Sequence, residues 1–303
     1  MILATSTSRR NIWIDLLLYP THTLPTAAAP VLVGAGLAIH NGVFAAVPVA
    51  LAFAASWFVH VAGVFTDNHR LLAEHPDVRE HPELSEAVEN GTLTLSGLAG
   101  AIIACLVLAA LFGSYLVATV GVAALFLGIL GAVASLGYSV GPFSLTKLGI
   151  ADIAFFLMFG VVAVAGIYYV QAGTLPLSAF VAGLPVGAIV TGVLLIDDIR
   201  DRDFDKLKGW RTRPVSFGLG WTRVEFTLLM AFAYLAPLWF WLGLGFSAWV
   251  LLPLLTLPVA VTITRTVCAT VDFKKLFPMT PKTATLAFAY ALLLGAGIAM
   301  RAR

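Results

Sequence analysis

The sequence predicts an all-α membrane protein whose chain crosses the bilayer nine times. Of its 303 residues 60% are hydrophobic and 11% are charged, less than half the ~25% that clothes a soluble domain. The mean hydropathy is +0.95, and the apolar residues run along the whole chain rather than gathering in one anchor. The charge that remains is concentrated in a few connectors.

Apolar runs close to the ~20 residues that span a bilayer lie at approximately 12–39, 42–66, 93–113, 115–135, 151–170, 177–196, 224–243, 246–265 and 282–300. The short connectors, His40-Asn41, Gly113-Ser114, Gln171 to Pro176 and Gly243 to Gly245, carry almost no charge. The long connectors, 67–92, 136–150, 197–223 and 266–281, hold most of it. Alternation puts all four long connectors on one face. Their lysines and arginines, with Arg9 and Arg10, make that face and the N-terminus cytoplasmic; Arg301 and Arg303 are the exception. Ser8-Arg9-Arg10 superficially resembles a twin-arginine export signal, but Asp15 and the prolines at 20, 25 and 30 interrupt the apolar core it requires. Cys105 and Cys268 both stand in apolar runs, which predicts two buried thiols and no disulfide framework. The acidic connectors after the second and sixth spans are about 130 residues apart. One domain over 1–303 is expected, with a possible twofold repeat of four-helix units over about 12–135 and 151–300.

The acidic connectors carry the chemistry. In Asp197-Asp198-Ile199-Arg200-Asp201-Arg202-Asp203-Phe204-Asp205, a helix continued from the sixth span places Asp197, Asp201 and Asp205 at i, i+4 and i+8. Asp198 stands three residues before Asp201. Stacked like charges destabilise a helix unless something neutralises them. A divalent cation does so, and Mg²⁺ is held by one or two carboxylates together with phosphate oxygens and water. The competing reading is a solvated loop in which Arg200, Arg202 and Lys206 pair the acids. Lys208-Gly209-Trp210-Arg211-Thr212-Arg213-Pro214 follows, a basic run suited to a diphosphate and equally compatible with ordinary positive-inside charge. In the first connector Asp67 and Glu74 share a helix face, with Asn68 and Asp77 nearby, and Pro76 and Pro82 limit the helix. Asp67 ends an apolar span, where a carboxylate is functional by default. Glu80, Glu83, Glu86 and Glu89 read as a solvated stretch. His69, His75 and His81 recur every six residues, which matches no zinc spacing.

At these residues the chain resembles the UbiA superfamily of intramembrane prenyltransferases, nearest its 1,4-dihydroxy-2-naphthoate prenyltransferase branch. The family's second motif, approximately N-N-x-R-D-x-x-x-D-x-x-x-G-K-R-T-L-x-V-x-x-G, aligns without a gap with Asp197 to Gly218. Asp197 and Asp198 replace two asparagines, Trp210 a lysine and Arg213 a leucine. Thr23-Leu24-Pro25 with Pro30 and Gly34 is similar to the family's opening. Tyr138 to Gly141-Pro142, Leu148-Gly149, Phe159-Gly160 and Gly166 to Gln171 are similar to the branch's fourth connector and fifth span. Lys282-Thr283-Ala284 is similar to the start of the last span. The first motif, N-D-x-x-D-x-x-x-D, reads Thr66-Asp67-Asn68-His69-Arg70-Leu71-Leu72-Ala73-Glu74: Asp67 is kept, Glu74 stands in conservatively, and Arg70 replaces the middle aspartate. That exchange leaves open one Mg²⁺ fewer with Arg70 on the diphosphate, altered chemistry, or lost activity.

The resemblance implies nine helices around a central cavity capped on the cytoplasmic side by the acidic loops. It implies an isoprenyl diphosphate as donor, an aromatic acceptor of the dihydroxynaphthoate or quinone-precursor kind, and Mg²⁺ as cofactor. The implied catalytic residues are Asp67, Asp201 and Asp205. The implied metal set is Asp67, Glu74, Asp197, Asp198, Asp201 and Asp205. Arg70, Asn68, Lys147, Arg200, Arg211, Tyr138 and Tyr168 would bind substrate, and Phe65, Phe155, Phe159 and Tyr169 are further candidates for the cavity wall. Two rival readings are a terpene cyclase of the same fold, which needs no acceptor, and a membrane transporter. The surroundings are membrane lipid, and no nucleic-acid partner is expected.

Overall fold

In the computed structural model the described residues are Trp13, 23–74, 87–138 and 144–300, and every regular element among them is helical. The Arg9–Arg10 pair, Asp15, Asp77, the stretch through Glu80, Glu83 and Glu86, His75, His81, Gly141-Pro142, Arg301 and Arg303 lie outside the described residues. The long helices are α1 (Thr23–Asn41), α2 (Ala46–Glu74), α3 (Leu95–Val120), α4 (Val122–Leu136), α5 (Ala151–Ala172), α6 (Leu177–Arg200), α7 (Gly218–Leu244), α8 (Ala248–Ala269) and α9 (Met279–Ala299). Eight described helical runs are long and apolar enough to cross a membrane. The exception is α4, whose 15 residues give roughly 22 Å at 1.5 Å per residue, short of a ~30 Å hydrocarbon core. The chain is an integral, multi-pass membrane protein. Its outward faces are apolar, with Leu111, Phe126, Leu242 and Leu255 all exposed, as lipid contact requires.

The turn expected at Gly113-Ser114 lies inside α3. Ser114 Oγ donates back to the Leu111 carbonyl at 2.8 Å, so neither residue stops the helix. The chain breaks instead at Gly121, whose φ of +100° only glycine adopts readily. At the start of α3, Thr94 Oγ1 accepts from the Gly97 amide at 3.0 Å. Cys105 is buried, but Cys268 is exposed: an apolar run can face lipid as well as protein.

The buried centre is α6, 83% of whose span is enclosed, against 17% for α2 and for α3. Glycines let its backbone meet α5 directly: a Cβ on Gly160 would lie 2.6 Å from Gly187 Cα and 2.8 Å from Gly183 O. At that approach α5 contains a π-helical stretch, Phe156–Val162, an irregularity common at functional sites. On the other flank α1 meets α9, where a Cβ on Gly36 would lie 2.3 Å from Gly295 O. Packed between α5 on one side and α1 and α9 on the other, α6 carries Asp197 and Asp198 at its end. The gap between α2, α3, α4 and α5 is left as the cavity.

Candidate active site

Two stretches of chain, 67–70 and 197–210, meet at one end of a cavity of about 860 Å³. Asp67, Asn68 and Arg70 sit in the last described turns of α2 (Ala46–Glu74). The Asn68 amide donates to the Val64 carbonyl at 2.8 Å. The Glu74 side chain lies outside the described atoms. The helix expected to carry Asp197, Asp201 and Asp205 on one face bends at Asp201 (φ −100°, ψ 11°), and Asp205 rides on a separate short helix, Arg202–Leu207. Backbone bonds from Asp201 N to Asp197 O (2.8 Å) and from Asp205 N to Asp201 O (2.9 Å) bridge the bend. Gly209 at φ +70° then turns the chain so that Trp210 N returns to Asp205 O at 2.9 Å. Asp67, Asn68, Arg70, Tyr138, Asp197, Asp198, Arg200, Asp201, Asp205, Lys208 and Trp210 all line the cavity.

Charge at this end is only partly answered. Arg200 holds both its neighbours: Nη1 donates to Asp197 Oδ1 at 2.6 Å, Nε to Asp201 Oδ1 at 2.7 Å, and Nη2 to Asp201 Oδ2. Thr280 Oγ1 on α9 adds a bond to Asp197 Oδ1 at 2.6 Å. Asp205 is 3% exposed; it accepts from Thr212 Oγ1 at 3.2 Å and lies 3.5 Å from Lys208 Nζ. Burial, assisted by the negative charge of Asp201, pushes its carboxyl up to about 7 against the pull of Lys208 and Thr212. Burial, then the carboxylates of Asp198, Asp67, Asp205 and Asp197, hold the Tyr138 hydroxyl well above its ordinary range, so it stays neutral. Asp198 is 5% exposed, and its Oδ2 has no hydrogen-bond partner among the described residues.

Below the carboxylates the walls are mainly apolar and aromatic, with Thr26, Ser56, His60, Ser114 and Ser135 as their polar side chains. Tyr138 meets Phe155 at 5.5 Å between ring centres, Phe155 meets Phe159 at 4.9 Å, and Phe159 meets the His60 ring at 5.3 Å. Phe65, Tyr168 and Tyr169 are not among the cavity residues. Tyr168 accepts from Asn41 Nδ2 at 2.8 Å near the other end of α5, about 24 Å along the helix from Asp152. Lys147 and Arg211 are also outside the lining. They stand on adjoining segments, the turn Leu145–Leu148 and the strand of chain after Trp210, tied by Arg211 N to Thr146 O at 2.9 Å.

Sequence reasoning missed several participants. Lys208 and Trp210 stood in the basic run without a role of their own. Thr280 gives no sequence signal, because its bond to Asp197 spans 83 positions. Arg213 forms an ion triad beside the site, pairing with Asp152 and lying 3.3 Å from Glu225 Oε2. The exchange of leucine for Arg213, together with a carboxylate in each of α5 and α7, was the available clue.

The donors at the mouth are all oxygen, the set a hard cation takes, and the unanswered Asp198 oxygen leaves room for one. Among the described residues no three acidic or histidine groups converge into a ready cage. One or two carboxylates with substrate oxygens are nevertheless the usual Mg²⁺ arrangement, so the site fits a cation that arrives with a phosphate.

Comparison with known proteins agrees with this architecture. The chain is 29% identical over 298 residues to "1,4-dihydroxy-2-naphthoate octaprenyltransferase" of Escherichia coli (strain K12), covering 96% of each. It is 28% identical over 290 residues to the protein of the same description from Mycobacterium tuberculosis, covering 91% of this chain and 94% of that one. The fold matches the apo structure of a UbiA homolog from Aeropyrum pernix K1 with a TM-score of 0.69, at 20% identity, covering 92% of this chain and 97% of that one. A UbiA homolog from Archaeoglobus fulgidus bound to DMAPP and Mg²⁺ matches with a TM-score of 0.53, also at 20% identity, covering 92% and 98%. Residues 27–277, most of the chain, match the UbiA prenyltransferase family, and the protein belongs to that family of intramembrane prenyltransferases.

Proposed function

We propose that this prenyltransferase moves an isoprenyl group from a prenyl diphosphate to an aromatic acceptor of the dihydroxynaphthoate kind, with Mg²⁺ as cofactor. One observation carries the reading: every Asp, Arg and Lys lining the cavity belongs to the 67–70 and 197–208 stretches at one end, and the rest of the shaft is mainly apolar, with Thr26, Ser56, His60, Ser114 and Ser135 its polar side chains. Such a shape takes a molecule with an anionic head and a hydrocarbon tail. The relatives described as 1,4-dihydroxy-2-naphthoate octaprenyltransferases support the acceptor, and the Archaeoglobus fulgidus structures with DMAPP or GPP and Mg²⁺ support donor and metal.

Asp67, Asp197, Asp198, Asp201 and Asp205 would hold the metal, with Glu74 as a further candidate. When bound it supplies Lewis-acid neutralisation of the charge that grows on the leaving diphosphate. The protein's cations act on the same charge: Arg70 and Lys208 line the mouth, and Arg200 fixes Asp197 and Asp201 in place. Lys147 and Arg211, which are not among the lining residues, would act only on a diphosphate that projects from the mouth. The shaft excludes water from the allylic cation left behind. The faces of Tyr138, Phe155 and Phe159 stabilise that cation until the electron-rich carbon of the acceptor captures it and sheds the proton or carboxyl group (as CO2) it carried, which restores the aromatic ring. We place the carboxylate end on the cytoplasmic side, from the basic residues of the long connectors.

The test is incubation of purified protein and Mg²⁺ with labelled prenyl diphosphates, with and without dihydroxynaphthoate. Prenylated acceptor, formed only when acceptor is present, is the expected result. Acceptor-independent hydrocarbon or alcohol would replace transfer with cyclisation, and no product from any donor would refute both.

A further inference from the structure

Two residues that depart from the family pattern, 140 positions apart in sequence, touch. Arg70, where the first motif has its middle aspartate, lies with Cζ 5.4 Å from the ring centre of Trp210, where the second motif has lysine. Lys208 Nζ lies 3.8 Å from the same ring and 3.9 Å from that of Phe204. Both cations are within the ~6 Å over which an aromatic face attracts positive charge. Trp210 is 8% exposed, its indole N–H has no acceptor among the described residues, and Tyr138 packs against it at 6.4 Å between ring centres. Arg70, Lys208 and Trp210 line the mouth alongside Asp67, Asp201 and Asp205.

The two exchanges suit each other. An aspartate facing a lysine is an attractive contact, and so is an arginine over a tryptophan. Either exchange alone gives a repulsive one: arginine facing lysine, or a carboxylate against the electron-rich ring face. The double exchange also makes the mouth more positive by one charge while removing one oxygen ligand. We propose that Trp210 is a positioning residue that holds the Arg70 and Lys208 cations at the diphosphate end of the cavity, and that Arg70 and Trp210 form a compensated pair replacing the family's aspartate and lysine. This rests on the prenyl diphosphate reading above and assigns part of the headgroup charge to fixed protein cations instead of metal.

The experiment is a mutant cycle read by the KM for a labelled prenyl diphosphate, kcat, and the Mg²⁺ concentration for half-maximal rate. Size-exclusion profile and melting temperature serve as folding controls. Trp210→Ala should raise the donor KM by roughly 5- to 30-fold, the size of a lost desolvated cation–π contact, with the acceptor KM unchanged. Trp210→Phe should recover most of that loss. Arg70→Asp and Trp210→Lys should each lose at least tenfold in kcat/KM. The double variant R70D/W210K should regain much of it, and its rate should depend more steeply on Mg²⁺. Additive losses in the double variant, or an unchanged donor KM in Trp210→Ala, overturn the pairing while wild-type turnover stands. A wild-type protein that neither binds geranyl diphosphate with Mg²⁺ nor makes product overturns the functional reading and this inference with it.

Discussion

Asp205→Asn should make the metal-free protein more stable at pH 8 and leave its stability unchanged at pH 4. The Asp205 carboxyl is pushed from 3.8 to about 7 in the folded protein. Below pH ~4 the folded and unfolded states both carry its proton and nothing distinguishes them. Between ~4 and ~7 only the folded state keeps the proton, so stability falls as pH rises, and above ~7 the full penalty is present. A displacement of this size is worth at most ~4 kcal/mol. Asparagine escapes the penalty and can still accept from Thr212, although it forfeits the attraction of Lys208. At roughly 2 °C per kcal/mol for a chain of this length, the gain at pH 8 is on the order of 5–8 °C at its ceiling. Thermal melts in detergent with a chelator, at pH 4, 6 and 8, measure it. The difference between variant and wild type should grow with pH, and saturating Mg²⁺ should narrow it by stabilising only the wild type. A difference that is flat with pH, or an asparagine variant less stable at pH 8, would refute the argument that this carboxyl is buried without adequate compensation.

Other outcomes follow from the same site. Asp201→Ala or Asp205→Ala should cut turnover by on the order of 10²-fold or more in protein that inserts and elutes normally; rates like wild type would reject the metal assignment. Gly113 lines the cavity with nothing within 4 Å of where its Cβ would lie, so Gly113→Leu should shorten the longest prenyl diphosphate accepted and spare short donors. Kinetics over a donor series measure this, and an unshifted limit would remove Gly113 from the tail path. A cysteine at Leu207, which is 84% exposed, should be labelled from the cytoplasmic side in a variant lacking Cys268. Labelling only from outside would reverse the topology.

What the sequence makes legible is what local composition controls. The spans expected at 151–170 and 177–196 appear as Ala151–Ala172 and Leu177–Arg200, because apolar runs of this length have few other options in a bilayer. The clustering of Asp67 with the aspartates after the sixth span is legible through the motifs. The bend at Asp201 is not, since the acids fit an unbroken helix equally well by spacing. Nor is the place of Tyr168: a tyrosine near a span end reads as a wall residue until packing puts it against Asn41. Arg70 and Trp210 each read alone as a defect of a motif. Only their contact gives the two departures a common reason.

The distribution of charge also separates a catalyst from a conduit. A transporter for an anionic solute needs polar partners along its path, since each unsatisfied charge in the bilayer core is costly. Here every ionised residue of the cavity lies at one end, while Gly113, Leu116, Val117, Leu125 and Ile167 line the other. A diphosphate that entered head first would leave Arg70 and Lys208 behind and meet only the neutral side chains of Thr26, Ser56, Ser114 and Ser135 and the His60 ring. On the proposed function the head would stay with Arg70, Lys208 and the aspartates, and the tail would occupy the shaft. Holding the charged end still while the bond beside it breaks is the condition under which fixed cations stabilise a leaving group without reorganising. At the end of α6, Arg200 and Thr280 hold the Asp197 carboxylate in place.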